Sequence, residues 1–322
     1  MDFQLSDDQR ALRSAMRDLL GAAFDRDGLR AAVERGGGVD RGLWRELGAA
    51  GFFALRLPEE SGGVGLGLPE AVLLFEEAGR ALLPGPLVAT HLAAGLVKGA
   101  AEGEAVVTAS QGGGLPVADL RGADAVLVAG GVLTGEELAA FVAGARPVRS
   151  MDPLTPLHRA EGLVAAAEAY PGALRGEGAL LTAAEQLGSA ARTTEMAVQH
   201  ARTREQFGSL IGSFQAVKHL CADMLARTEP ARGAVYAAAV TGDPVEIAAA
   251  KLLADDAAVR NARDCLQIHG GMGFTWEADV HLHLKRAWLR AARWLSAAEA
   301  EEILAAGLGP VRPLYGGSAA LG

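Results

Sequence analysis

The sequence predicts a mainly α-helical protein with a small β domain at its centre. Residues 1–103 form an N-terminal helical domain in this reading, and residues 104–175 a reduced middle β-sheet domain. Residues 176–310 form a C-terminal four-helix bundle, and residues 311–322 a loose tail. Three observations predict it. Apolar residues recur at helical spacing through the first hundred positions. Short β-leaning runs alternate with glycine clusters from Ala105 to Pro171. Four long amphipathic segments then follow with short connections, as an antiparallel bundle requires.

The elements can be justified in order. Ser6-Asp7-Asp8-Gln9 is a capping-box pattern, and Leu12, Met16, Leu19 and Leu20 continue it as one helical face. A second helix is expected near Leu43–Ala50, with Gly51 at its C-terminal cap. Phe52–Pro58 reads as a short extended piece and Gly62–Gly67 as a glycine-rich loop. Pro69-Glu70 opens a helix over 69–82, because proline suits a first helical turn. In the middle, residues 105–108, 125–128 and 132–133 are β-leaning, which predicts a thin sheet of three or four strands. The bundle helices are expected over about 179–203, 213–240, 244–267 and 277–305. Asp243-Pro244 starts the third, Thr275 is a candidate cap for the fourth, and Pro230 predicts a kink or break in the second.

Composition excludes several classes. The chain has 322 residues, half of them hydrophobic and 21% charged, enough apolar material for two or three packed domains and too much for global disorder. A net charge of −9 argues against nucleic acid as the main partner, since phosphate binding needs a dense basic face. The charge-free run Ala81–Val97 is short and carries Pro84, Pro86 and His91, so no membrane span is expected. The acidic start predicts no secretory signal and a cytoplasmic setting. Cys221 and Cys265 are far apart in helical stretches and read as buried, inert thiols. Metal ligation is not expected either. His281 and His283 would point to nearly opposite sides of a helix, and no HExxH or CxxC occurs. Gly62–Gly67 lacks the GxGxxG spacing and a βαβ context, and there is no phosphate loop or GxSxG.

Two segments carry more. Ala201–Gly208 followed by Ile211–His219 is a helix end, a cationic turn and a second helix start. Phe207 and Phe214 could be packing, or Arg204 and the polar turn could grip a phosphorylated group through the guanidinium fork. Gln267–Glu277 contains Gly270, Gly271 and Gly273, which allow close backbone approach to a ligand but also suit a plain helix-to-helix turn.

Together with FQLSDDQRALRSAMRDLL and LWRELGAAGFFALRLPEESGGVGLGLPEAVLLFEEAGRAL, these segments resemble the acyl-CoA dehydrogenase family over most of the chain. RTREQFGSLIGSFQAVKHLCADM and QIHGGMGFTWEADVHLHLKRA are similar to its two C-terminal signatures. The resemblance implies FAD-dependent α,β-dehydrogenation of an acyl-CoA thioester. A carboxylate takes the α-proton while the β-carbon delivers a hydride to the flavin, and electrons pass on to an electron-transferring flavoprotein. It also implies that Arg204, Gln206, Phe207, Ile211 and Phe214, with Gln267 and Gly271, contact the FAD of a neighbouring subunit.

The contacts that such a protein makes to its own flavin are missing. No TEPxxGSD-like loop or tryptophan-centred strand is found between Gly103 and Gly176. The usual base position falls near Trp294, where there is no glutamate. The alternative base position on the first bundle helix aligns near Gly178, which leaves Glu177, and two turns on Glu185, as catalytic candidates. The resemblance therefore extends to the shortened member of bacterial hetero-oligomers, in which two dissimilar chains share one flavin. The alternative is a self-sufficient homo-oligomeric dehydrogenase with a glutamate base on that helix.

Overall fold

A computed structural model describes residues 4–112, 114–160 and 172–308. The expected tail over 311–322 lies outside the described residues. No helix among them is long and apolar enough to cross a membrane.

The N-terminal region is built from α1 (Asp7–Ala23), α2 (Arg26–Glu34), α3 (Arg41–Ala49), α4 (Leu68–Arg80) and α5 (Leu87–Leu92). The capping box of α1 forms as its sequence dictates: Gln9 N–H donates to Ser6 Oγ at 3.1 Å, and Ser6 N–H to Gln9 Oε1 at 3.0 Å. Pro69 sits in the first turn of α4, where Glu70 accepts from Gly67 N–H at 3.0 Å. Phe52–Pro58 is a run of turns rather than the expected extended piece. Its aromatics explain the difference. Phe52 and Phe53 are driven into one cluster with Trp44 and Phe75, at centroid separations of 4.8–5.3 Å, and an extended strand would send one of them to the opposite side.

The middle region holds β1 (Val107–Ala109), β2 (Val117–Ala118), β3 (Ala125–Val128), β4 (Gly131–Leu133), α6 (Gly135–Ala143), β5 (Ala145–Val148) and β6 (Leu157–Ala160). It is richer than the sequence suggests. Six short strands make two three-stranded sheets, ordered β1-β3-β4 and β2-β6-β5. Among the described residues, only β1 and β3 pair in parallel. The strands missed from sequence, around Val117, Ala145 and Leu157, are two to four residues long, and two of them contain polar or proline positions.

The C-terminal region contains α7 (Gly172–Thr203), the hairpin β7 (Glu205–Gln206) and β8 (Ser209–Leu210), α8 (Gln215–Thr241), α9 (Pro244–His269), α10 (Val280–Ala291) and α11 (Ala297–Gly307). Of the expected kink or break at Pro230, the break does not occur: α8 runs through it. Proline costs the helix one hydrogen bond, but Thr228, Ala231 and Val235 beside it are buried, and their packing holds the helix through it. The fourth bundle segment is two helices, not one. It breaks after Ala291, and Trp294 adopts a left-handed φ of +62°. Thr275 caps no helix; its hydroxyl donates to Met272 O at 2.8 Å, and Asp279 precedes α10.

The central helix α9 buries a face of alanines, Ala248 to Ala262, which brings its neighbours close. The N-terminal domain docks on α7 just as tightly. A Cβ at Gly79 would meet Glu185 O at 2.0 Å, and one at Gly188 would meet Glu76 O at 1.8 Å. Glycine is therefore required at both positions where α4 crosses α7. The crossing is sealed by Glu76, buried, which accepts from Tyr236 Oη at 2.6 Å and pairs with Arg232 on α8.

Candidate functional site

The two glycine-containing turns singled out in the sequence come together at one end of the bundle. After α7, Arg204 N–H donates to His200 O at 2.9 Å, and β7 and β8 then fold into a two-residue hairpin. Phe207 and Gly208 form its turn with φ of +55° and +75°. Two positive φ values give the twist that a two-residue hairpin needs, but a phenylalanine in that conformation is strained. Its side chain is 93% exposed and meets Phe214 edge to face at 6.3 Å. Ile211 is buried and anchors the turn to the core. Arg204 is exposed and makes no ion pair among the described residues. Gln206 is exposed too, its amide donating to Glu205 O at 2.9 Å.

The second turn begins where α9 ends at His269. Gln267 and Gly271 are exposed, and the space beside Gly271 is open to 4 Å. His269 joins the two turns: its ring stacks on His200 with centroids 4.1 Å apart and planes 16° from parallel. His269 Nδ1 lies 2.8 Å from Cys265 O. Burial pushes the Cys265 thiol up to about 12, and Cys221, partly buried, is pushed up by the same cause; both are free thiols. Phe274 and Trp276, 80% and 62% exposed, extend the apolar surface beyond Phe207. This end presents exposed cations, among them Arg202, Arg204 and Lys218, and several uncovered aromatics.

The base candidates lie elsewhere, on α7. Glu177 pairs with Arg56, and His91 Nε2 stands 3.9 Å away. His91 is buried, which lowers its pKa to about 4 against the pull of Glu177. Glu185 faces an interior cavity of about 90 Å³ where the α4–α5 loop, β1, α7 and the end of α10 meet. Burial raises the Glu185 pKa, and Arg290 opposes this, its Nη2 donating to Glu185 Oε1 at 2.8 Å. The two positions that the family resemblance assigns to a base lie against each other. A Cβ on Gly178 would come within 2.4 Å of the Trp294 ring. Trp294 is itself buried, and its N–H donates to Gln111 Oε1 at 2.9 Å. Tryptophan thus occupies the volume a side chain at position 178 would need.

Sequence reading missed most of the cavity wall. Asp119, Arg286, Arg290 and Arg293 line it. The arginine spacing of four and three residues was a legible helical stripe; Asp119 carried no signal. His283, also unassigned, is buried against Ser189 Oγ at 2.8 Å, and its pKa falls to about 3 by burial.

The cavity fits neither a flavin ring nor a thioester. Small-molecule sites typically offer about 300–1,000 Å³, whereas this one offers about 90 Å³ and carries five charged side chains in its lining. The exposed turns fit a dinucleotide presented from outside the chain: a cation for phosphate and aromatic surface for a ring.

Comparison with known proteins gives the following. The acyl-CoA dehydrogenase N-terminal domain profile matches residues 6–102, and the C-terminal domain profile matches residues 175–300. The acyl-CoA dehydrogenase IpdE2 of Mycobacterium tuberculosis is 36% identical over 296 residues, covering 87% of this chain and 91% of that protein. Acyl-CoA dehydrogenase FadE34 of the same organism is 35% identical over 88% of this chain, which spans only 45% of that longer protein. Among solved structures, butyryl-CoA dehydrogenase from Megasphaera elsdenii superposes with a TM-score of 0.80 over 96% of this chain and all of that one, at 20% identity. The structure described as PigA with FAD and proline gives 0.80 over 96% of this chain and 99% of that one, at 19% identity.

Proposed function

Because the chain belongs to the acyl-CoA dehydrogenase family of oxidoreductases, we propose that it is a subunit of an FAD-dependent acyl-CoA dehydrogenase that works with a dissimilar partner chain. In this reading the partner holds the flavin and the catalytic base, and this chain completes the flavin site from outside. The observation that carries the reading is the contrast between an open, cationic and aromatic turn and an interior cavity of only about 90 Å³. Arg204 and Gln206 would hold the phosphate-bearing part of the cofactor. Phe207, Ile211 and Phe214 would shape its apolar wall, and Gln267 and Gly271 would let the nucleotide approach the second turn. FAD, when bound, supplies the two-electron acceptance, and electrons leave to an electron-transferring flavoprotein. The match to less than half of FadE34 supports the reading, since there a unit of this kind sits within a chain about twice as long. The cytoplasmic setting belongs to the same proposal.

One observation favours the alternative, a self-sufficient homo-oligomer. Glu185 faces the cavity with a raised pKa, as a proton-transfer group would. Glu177 is the second candidate base there.

Flavin absorbance separates the two. The chain purified alone is expected to be colourless. Mixed with a dissimilar dehydrogenase-like partner, it is expected to retain about one flavin per pair of chains and gain acyl-CoA turnover, because binding shared across an interface appears only in the complex. Full flavin occupancy on the lone chain, with turnover abolished by Glu185→Gln, would establish the homo-oligomer instead.

A further inference from the structure

We propose that the cavity where the three domains meet is itself a binding site for one compact anion, a carboxylate or other small oxyanion, held between Arg286 and Arg290 with Asp119 as the third partner. The inference does not depend on which chain holds the flavin. Three side chains on this cavity, each more than nine-tenths buried, have a polar atom without a hydrogen-bond partner among the described residues: Arg286 Nη2, Arg290 Nη1 and Asp119 Oδ1. Buried polar groups are nearly always satisfied, so each such atom needs an explanation.

The neighbours are already committed. Glu185 accepts from Arg290 Nη2. Asp152 accepts from Arg286 Nε, from Leu154 N–H at 3.0 Å and from the Thr155 hydroxyl at 2.6 Å. Leu83 O accepts from Arg286 Nη1 at 3.1 Å. Guanidinium nitrogens only donate, so the missing group must be an acceptor facing both arginines. A two-oxygen anion meets that demand.

Asp119 supplies the complement. Burial pushes its carboxyl up to about 7, against the pull of Arg286 and Arg293 and with the push of Asp152. At pH 6 it carries a proton and can donate it in a hydrogen bond to the same anion; at pH 8 it is charged and repels it. Its left-handed φ of +54° holds it in place at a cost that an ordinary core residue would not bear. The size agrees: about 90 Å³ holds roughly three waters, the room a small oxyanion needs.

Titration calorimetry of the full chain with sodium acetate tests this, since acetate stays ionised across the range used. The expected result is one acetate per chain, bound about fivefold or more tightly at pH 6 than at pH 8. Asp119→Asn, which the left-handed conformation tolerates, should make the two affinities equal. Arg290→Lys keeps a cation beside Glu185 but loses the free donor, and should weaken binding by about tenfold. A CoA thioester ending in a carboxylate, compared with the same chain ending in methyl, identifies the source. Competition with acetate by the first alone assigns the anion to an acyl group, and no competition assigns it to a free ion. Absence of saturable binding at both pH values would leave the cavity to water and overturn the proposal. So would wild-type affinity in both variants.

Discussion

The hairpin end of the bundle and the junction of the three domains obey opposite rules. At the hairpin, Phe207, Phe274 and Trp276 stand in solvent, and Arg204 has no acidic partner among the described residues. At the junction, three arginines and three carboxylates are folded inside, and each of Arg286 and Arg290 has at least one ion pair. Leaving aromatic surface exposed gains nothing for folding, whereas burying charges requires that each be matched. The contrast teaches that the first region offers a broad surface to something outside the chain, while the second is held by pairing within the chain and leaves only three buried polar atoms over on its cavity wall among the described residues.

The largest effect is expected where a buried charge would be orphaned. Arg290→Met removes the partner of Glu185, which then stays buried without a cation. Chemical denaturation should show a loss of about 3–5 kcal/mol, the range for breaking a buried pair. A double change to Arg290→Met with Glu185→Leu should recover most of it, since a well-packed apolar pair can replace an ionic one. If the single variant is as stable as the parent, the junction is not the closed charge box described.

Next in size is Gly178→Glu, which places a carboxylate at the position the family resemblance assigns to a base. Trp294 already fills that volume. Overpacking is expected to cost about 1–3 kcal/mol, seen in the same denaturation measurement, and to restore no turnover to the lone chain. Recovery of turnover without loss of stability would show that the two regions are less different than their geometry implies.

Much of this was legible in the sequence, for physical reasons that differ by region. The caps at Ser6, Pro69 and Asp243 and the apolar stripes of α1, α4 and α9 are local, so periodicity finds them. Both turns were visible because glycine and cationic residues interrupt strong helical patterns. The junction was not. Asp119 precedes Glu185 by 66 residues and Arg290 by 171, and only folding brings their elements to one cavity. Asp119 belongs to the middle domain, and Glu185 and Arg290 to separate helices of the C-terminal bundle, so no local pattern joins them.

The third effect is a pH dependence. His91 and His283 are buried neutral, with pKa values lowered to about 4 and about 3 from 6.5. Each is protonated more readily in the unfolded chain, so stability is lost as pH falls below 6.5 towards those values. Asp119 works the other way. Its folded pKa of about 7 lies above its ordinary 3.8, so it binds its proton more readily when folded, and its contribution shrinks as pH rises from 3.8 to 7. Near pH 5 the two histidines and Asp119 leave a net difference of about one proton, or ~1.4 kcal/mol of stability gained per pH unit. Asp119→Asn should raise the slope by about one proton, ~1.4 kcal/mol per pH unit, in denaturation measured from pH 4.5 to 6. An unchanged slope would mean that Asp119 is not protonated inside the junction.

The smallest effect on folding belongs to the hairpin, and it tests the contrast most directly. Phe207 is strained and exposed, so for stability alone it is a poor choice at the turn. Phe207→Gly relieves the left-handed strain, worth about 1 kcal/mol, and gives up the edge contact with Phe214, worth about 0.5 kcal/mol or more. The lone chain is therefore expected to change by less than about 1 kcal/mol, with its midpoint equal to the parent's or slightly higher. The mixed assembly should behave differently. With the aromatic wall gone, flavin retention by the pair should fall by about tenfold, and Arg204→Ala should act in the same direction through the lost phosphate contact. A residue that costs its own fold something and returns it only in the complex has been kept for the complex. Should Phe207→Gly destabilise the lone chain strongly and leave flavin retention untouched, the turn would be ordinary packing, and the two regions would differ in exposure alone.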